Sequence, residues 1–183
     1  IRIPDAHGVT LKTTNGGVTL RGLSGPASLA STNGRIECVD QDGPVEAATT
    51  NGSIALRGIA HDMQAKTTNG SIDARDIEGS LTARTTNGAI TVRLRDACVG
   101  PLDLQSTNGR IDVSAGASFT GRLTARTTNG GVTISDSLRP CLVEQGRRSA
   151  VIEFGGDGRA SSLRTTNGKV RIERRLLPDG RGC

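Results

Sequence analysis

Thr67-Thr68-Asn69-Gly70-Ser71-Ile72-Asp73-Ala74 begins with one of eight copies of a single phrase, Thr-Thr-Asn-Gly or Ser-Thr-Asn-Gly. Its asparagines are Asn15, Asn33, Asn51, Asn69, Asn87, Asn108, Asn129 and Asn167, at intervals of 18, 18, 18, 18, 21, 21 and 38 residues. A fixed period of this size marks a stacked-repeat protein. With the first Thr or Ser as position 1, position 6 is always Ile or Val, from Val18 to Val170, and position 8 is mostly aliphatic. Before the next copy, positions 15 and 17 read Ala27 and Leu29, Val45 and Ala47, Met63 and Ala65, Leu81 and Ala83. Alternation with period 2 on both sides of the phrase predicts two half-buried strands per repeat. The phrase turns one corner. A looser corner follows, with Gly22, Gly43, Gly58 and Gly79. Helix is excluded by the period, by the density of β-branched residues and by the recurring Asn-Gly.

Carrying the alternation through the phrase turns the first hydroxyl and the asparagine inward. Asparagines stacked about 4.8 Å apart can hydrogen-bond along the stack, as in cross-β ladders. The glycine then supplies either a positive φ or a close backbone approach. An antiparallel meander with type I′ turns also uses Asn-Gly, but it has no need of Thr-Thr before it. The expected fold is therefore all-β, a parallel β-solenoid, right-handed by the crossover rule, with about nine coils and a length of about 45 Å.

The chain reads as one solenoid domain, 1–183. Regular coils span 9–143, opened by a strand-like Ile1-Arg2-Ile3. A degenerate coil spans 144–163, with Ile152 and Phe154 at positions 6 and 8. The last coil spans 164–173, and a tail over 174–183 is expected to fold across it. Cys141 and Val143 are expected at inward positions 15 and 17, as are Ser161 and Leu163. The two longer intervals place their extra residues in the loose corner, near 97–100 and 118–120.

Two Phe, one Met, no Trp and no Tyr among 183 residues fit a thin aliphatic core. The net charge of +5 favours anionic partners. Nucleic acid is not expected, because stacking aromatics are missing. Cys38, Cys98, Cys141 and Cys183, with His7 and His61, show no metal-ligand spacing, so no metal or cofactor is expected. No apolar run is long enough to span a membrane.

Outward position 9 carries Arg21, Arg57, Arg75 and Arg93, and outward position 18 carries Lys66, Arg84, Arg126 and Arg164. Two basic columns follow, readable as solvated faces or as a rack for anionic sugars or phosphates. Position 2 adds an outward Thr column. Ice binding, which uses paired Thr columns, is not expected beside Lys and Arg. His61-Asp62 lacks a nucleophile, and Gly155-Gly156-Asp157-Gly158 precedes no helix, so neither meets its catalytic or phosphate-loop context. The sequons at Asn51 and Asn69 are by-products of the repeat and are expected to be inaccessible.

The repeated [Ser/Thr]-Thr-Asn-Gly-x-[Ile/Val]-x-[Leu/Val] unit over residues 9–173 resembles the bacterial putative-adhesin family, a domain of unknown function forming a single-stranded β-helix. The resemblance implies a non-enzymatic protein of the cell envelope or exterior. No catalytic residue carries over from it. The expected role is a structural or adhesive surface module. It would bind a surface polymer or protein, or stack end to end on copies of itself into filaments. The alternatives are an anion- or polysaccharide-binding module using the basic columns, and a polysaccharide-active enzyme using Asp73 or Asp112.

Overall fold

The computed structural model describes residues 8–175 apart from 97, 99 and 157. The readings made for Ile1-Arg2-Ile3, Cys183 and the tail beyond 175 lie outside the described residues. The strands entering the phrase are β1 (Val9–Thr13), β3 (Ala27–Ser31), β5 (Val45–Thr49), β7 (Met63–Asn69), β9 (Leu81–Asn87), β11 (Leu102–Ser106), β13 (Gly121–Thr127) and β17 (Ser161–Thr165). Those leaving it are β2 (Val18–Arg21), β4 (Ile36–Gln41), β6 (Ile54–Ile59), β8 (Ile72–Ile77), β10 (Ile90–Leu94), β12 (Ile111–Ala115), β14 (Val132–Ile134) and β18 (Val170–Arg174).

These strands stack in parallel, each on its own equivalent. Val45, Ala47 and Thr49 pair with Met63, Ala65 and Thr67, and Ile54 and Leu56 with Ile72 and Ala74. A parallel β-solenoid results, with one ten-stranded and one eight-stranded sheet. The aliphatic positions of both sheets point inward and are buried, from Leu29 and Ile36 to Leu163 and Ile172. At the loose corner, Gly22, Asp40, Gly58 and Asp76 all have φ between 52° and 62°. These residues recur every 18 positions, so the corner keeps one left-handed geometry over four coils.

The order of the coils departs from the sequence. Six coils, β1/β2 to β11/β12, follow one another as the chain does. The next place is taken by β17/β18, the last coil in the chain. β13/β14 lies beyond it, so β17 is flanked by β11 and β13, and β18 by β12 and β14. The expected nine coils in sequence order are thus corrected to six consecutive coils and a transposed pair.

The degenerate coil expected over 144–163 is not a coil. Residues 136–141 form a 3-10 helix, and β15 (Leu142–Gln145) and β16 (Ser149–Phe154) form an antiparallel hairpin. β16 pairs antiparallel with β13 and closes that end of the ten-stranded sheet. Ile152 and Phe154 are buried there, rather than on the eight-stranded sheet as positions 6 and 8 require. Cys141 is buried at the helix end, but Val143 is 58% exposed and not inward. Ser161 and Leu163 are inward as expected.

The two phenylalanines meet at this cap. Phe119 and Phe154 pack edge to face with centroids 5.1 Å apart. The Arg174 guanidinium lies 5.4 Å from the Phe154 ring centre and donates to the Ala117 carbonyl. The last strand is thereby clipped to the cap.

Candidate functional site

The phrase divides its labour between core and surface. In every copy but the first, the first hydroxyl is buried and donates to the glycine carbonyl of the neighbouring coil. Thr67 Oγ1 reaches Gly52 O at 2.9 Å, Thr85 reaches Gly70 at 2.9 Å, and Thr127 reaches Gly168 at 2.8 Å. The asparagines form a continuous amide ladder, each Nδ2 donating to the next Oδ1 at 2.8–2.9 Å. The ladder runs Asn15, Asn33, Asn51, Asn69, Asn87, Asn108, Asn167, Asn129, in the transposed coil order.

All eight asparagines are exposed, and this corrects their inward placement. The backbone bends after position 2, so the alternation stops at the corner, and positions 2 and 3 both face outward. The sequon asparagines Asn51 and Asn69 are therefore at the surface, with their amides engaged in the ladder. The phrase glycines lack a positive φ. They are required by close approach: a Cβ on Gly70 would lie 1.9 Å from the Gly52 carbonyl oxygen.

The two basic columns fall on different sheets and differ in their partners. On the eight-stranded sheet, Arg57, Arg75 and Arg93 are register neighbours. Arg75 is held bidentately by Asp73 at 2.7 Å and 2.9 Å, and Arg21 bonds Glu37 at 3.3 Å. On the ten-stranded sheet, the spatial order is Lys66, Arg84, Gln105, Arg164, Arg126. Arg84 is paired with Asp103 at 3.0 Å. Lys66, Arg164 and Arg126 are exposed and have no carboxylate partner among the described residues.

Beside this column runs the exposed Thr column, and between them lies a shallow groove of about 520 Å³. The sequence names both columns. It does not reveal that Arg164 and Arg126 are neighbours, because their numbers are 38 apart.

The carboxylates considered for catalysis are engaged elsewhere. Asp112 takes Arg110 at 2.9 Å, and Asp73 takes Arg75. His61 contacts Asp42 at 3.1 Å rather than Asp62. Asp62 instead accepts from the Ser80 hydroxyl and backbone N–H, which hold its carboxyl below the usual range. The Ser80 hydroxyl is thus held by the Asp62 carboxylate at 2.7 Å. Cys38 and Cys98 are buried free thiols, and burial pushes Cys38 up to about 12. Cys141 is disulfide-bonded. Among the described residues no group of three or more His, Cys, Asp or Glu could hold a metal ion. No helix among them is long and apolar enough to cross a membrane.

The family model of a domain of unknown function, DUF7330, matches residues 11–173. No curated protein and no solved structure matches the chain. The matching description does not carry the adhesin name of the resemblance, so the adhesive role stands as a proposal.

Proposed function

The chain belongs to the DUF7330 family of domains of unknown function, and from that premise we propose that it is a non-enzymatic adhesive module of the cell envelope or exterior. It serves as a rigid rod that holds ladders of exposed side chains against a surface polymer or protein. The observation that carries this reading is the outer face of the ten-stranded sheet. Equivalent residues there stand on adjacent parallel strands, coil over coil, with no gap where the last coil enters. Side chains fixed at one rung spacing suit a ligand that is itself a repeat, because little freedom is lost on binding.

End-to-end stacking is the weaker form of the idea. The β15–β16 hairpin covers one end of the ten-stranded sheet and reverses its pairing direction. A parallel continuation by another copy is blocked there, so single particles are expected in electron micrographs at high concentration.

The test combines adhesion and turnover. Purified protein is sedimented with insoluble envelope polysaccharide, and new reducing ends are assayed in the same tube. Retention without cleavage is the expected result. Cleavage abolished by Asp73→Asn or Asp112→Asn would overturn the reading in favour of an enzyme.

A further inference from the structure

We infer that the groove between the Thr column and the Lys66–Arg126 column, at the capped end of the ten-stranded sheet, is a binding site for a linear acidic polysaccharide lying along the solenoid axis. This deepens the adhesive reading and rests on it, naming the face and the ligand class.

The argument starts from an electrostatic cost. Arg164 and Arg126 are direct register neighbours on parallel strands. Like charges placed opposite each other in a sheet are destabilising. On the other sheet the equivalent crowding of Arg57, Arg75 and Arg93 is relieved by Asp73 at its centre. On this face Asp103, opposite Ser162 in register, is occupied by Arg84 and by the Gln105 amide at 3.2 Å. Beyond the column, Glu153 sits opposite Arg122 in register, not opposite Arg126. The two guanidiniums are therefore left together without an internal counterion among the described residues, and an external anion is the natural one.

Charge is also concentrated towards this end. The same outward position is Lys12 in the first coil and Ala30 and Ala48 in the second and third, and becomes Lys66, Arg84, Gln105, Arg164 and Arg126 towards the cap, so four of its five cations lie in the capped half. The hairpin turn adds Arg147 and Arg148, whose carbonyls accept from Val132 and Thr127 of the coil bearing Arg126. Both arginines are exposed.

The ligand class follows from what flanks the charges. The neighbouring column is Thr68, Thr86, Thr107, Thr166 and Thr128, all exposed hydroxyls able to donate and accept. Hydroxyls beside guanidiniums suit a polymer that carries hydroxyls beside carboxylates or sulfates. Single-stranded nucleic acid would call for stacking rings. The chain has no Trp and no Tyr, and both Phe are buried in the cap. A rung repeat of about 4.8 Å is comparable to the advance of one sugar ring, so successive rungs can meet successive sugars.

The experiment uses polygalacturonate fragments of graded length, with binding followed calorimetrically at low salt. Affinity is expected to rise with length until the fragment spans the five rungs, and to fall as salt is added. Arg126→Ala with Arg164→Ala should weaken binding by about tenfold or more, and Arg57→Ala with Arg93→Ala by less than about threefold. Thr107→Val with Thr166→Val should weaken the polyuronate while sparing inorganic polyphosphate. These side chains are exposed, so melting temperatures no lower than that of the unaltered chain certify the folds, and a rise for the Arg126→Ala, Arg164→Ala pair agrees with relief of their repulsion.

Equal losses from both arginine pairs would overturn the site, as would tighter binding to single-stranded DNA of matched charge. So would no binding of polygalacturonate or heparin at low salt. Sedimentation with envelope polysaccharide that survives Arg126→Ala with Arg164→Ala would sink this site and leave the adhesive reading standing.

Discussion

At residue scale the repeated phrase rests on three different interactions, and their magnitudes rank them. Gly70 cannot take a side chain, because a Cβ would sit 1.9 Å from a backbone oxygen that cannot move independently of its coil. Gly70→Ala should therefore cost at least about 3 kcal/mol, the upper end of overpacking effects. Thr67→Val keeps the shape but leaves the Gly52 carbonyl without its buried donor, at about 1–3 kcal/mol. Asn69→Ala breaks two amide bonds. Both are exposed and in competition with water, so the loss should be about 1 kcal/mol. Denaturant unfolding of the three variants checks the order, and an asparagine loss exceeding the glycine loss would contradict it. The thiols give a second residue-scale prediction. With Cys38 raised to about 12, the native chain should not alkylate at that residue at neutral pH. The favourable burial of its neutral form should fade as pH rises from 9 towards 12, because the unfolded thiol ionises first. Mass mapping after iodoacetamide treatment, native against denatured, reads the first effect.

At the scale of elements, the strands flanking each phrase were legible in the sequence because period 2 and the repeat of 18 or 21 residues reinforce each other there, whereas 142–154, which lacks the phrase, was misplaced. The corner was not legible, because alternation describes extended backbone and the phrase bends after its second residue. That bend is why Asn33 is exposed although Ser31 is buried. The loose corner also holds one position where the pattern is broken. Gln41 is 1% exposed and stacks on Ile59, which stacks on Ile77. Its Nε2 donates to the Gly25 carbonyl at 2.6 Å, while its Oε1 lacks a partner among the described residues. The gain of one hydrogen bond is set against one orphaned acceptor. Gln41→Ile should thus shift stability by less than about 1 kcal/mol. Ile59→Gln has Gly43 standing where Gly25 stands for Gln41, but it replaces a fully buried aliphatic stacked on Ile77, and should cost about 1–3 kcal/mol. A thermal melt of each variant decides the comparison. Asp40 offers an independent probe of the same corner. Its φ of 52° lies in a column shared with Gly22, Gly58 and Asp76. Asp40→Gly should then stabilise by up to about 1 kcal/mol, since left-handed backbone is costly for a residue with a Cβ.

At the scale of the whole molecule, the transposed coil is the feature that residue patterns could not disclose. Arg126-Thr127-Thr128-Asn129-Gly130 and Arg164-Thr165-Thr166-Asn167-Gly168 are the same five residue types in the same register. Nothing local says which copy takes the seat. One buried residue does mark the outcome. Ser161 stands at an inward position where other coils carry an aliphatic residue, and its hydroxyl accepts from the Leu102 N–H at 3.0 Å. In the regular coils that N–H is taken by a carbonyl of the next coil, as Leu81 N is by Pro101 O. The hydroxyl stands in where the incoming loop from the hairpin breaks the rule. The transposition also decides where the molecule opens. A C-terminal coil at the end of a solenoid frays first, since it has one neighbour and is lost without disturbing the others. Here β17 and β18 are paired on both sides, while among the described residues β1 and β2 each have one neighbouring strand. Hydrogen exchange should therefore show amides of 161–174 protected to nearly the global stability, and those of 9–21 exchanging through local opening. Exchange at 161–174 as fast as at 9–21 would mean that the last coil does not hold the interior place. Protection of 161–174 would also explain how the paired guanidiniums of Arg126 and Arg164 persist, since their repulsion is borne by a coil that cannot leave without opening two sheets.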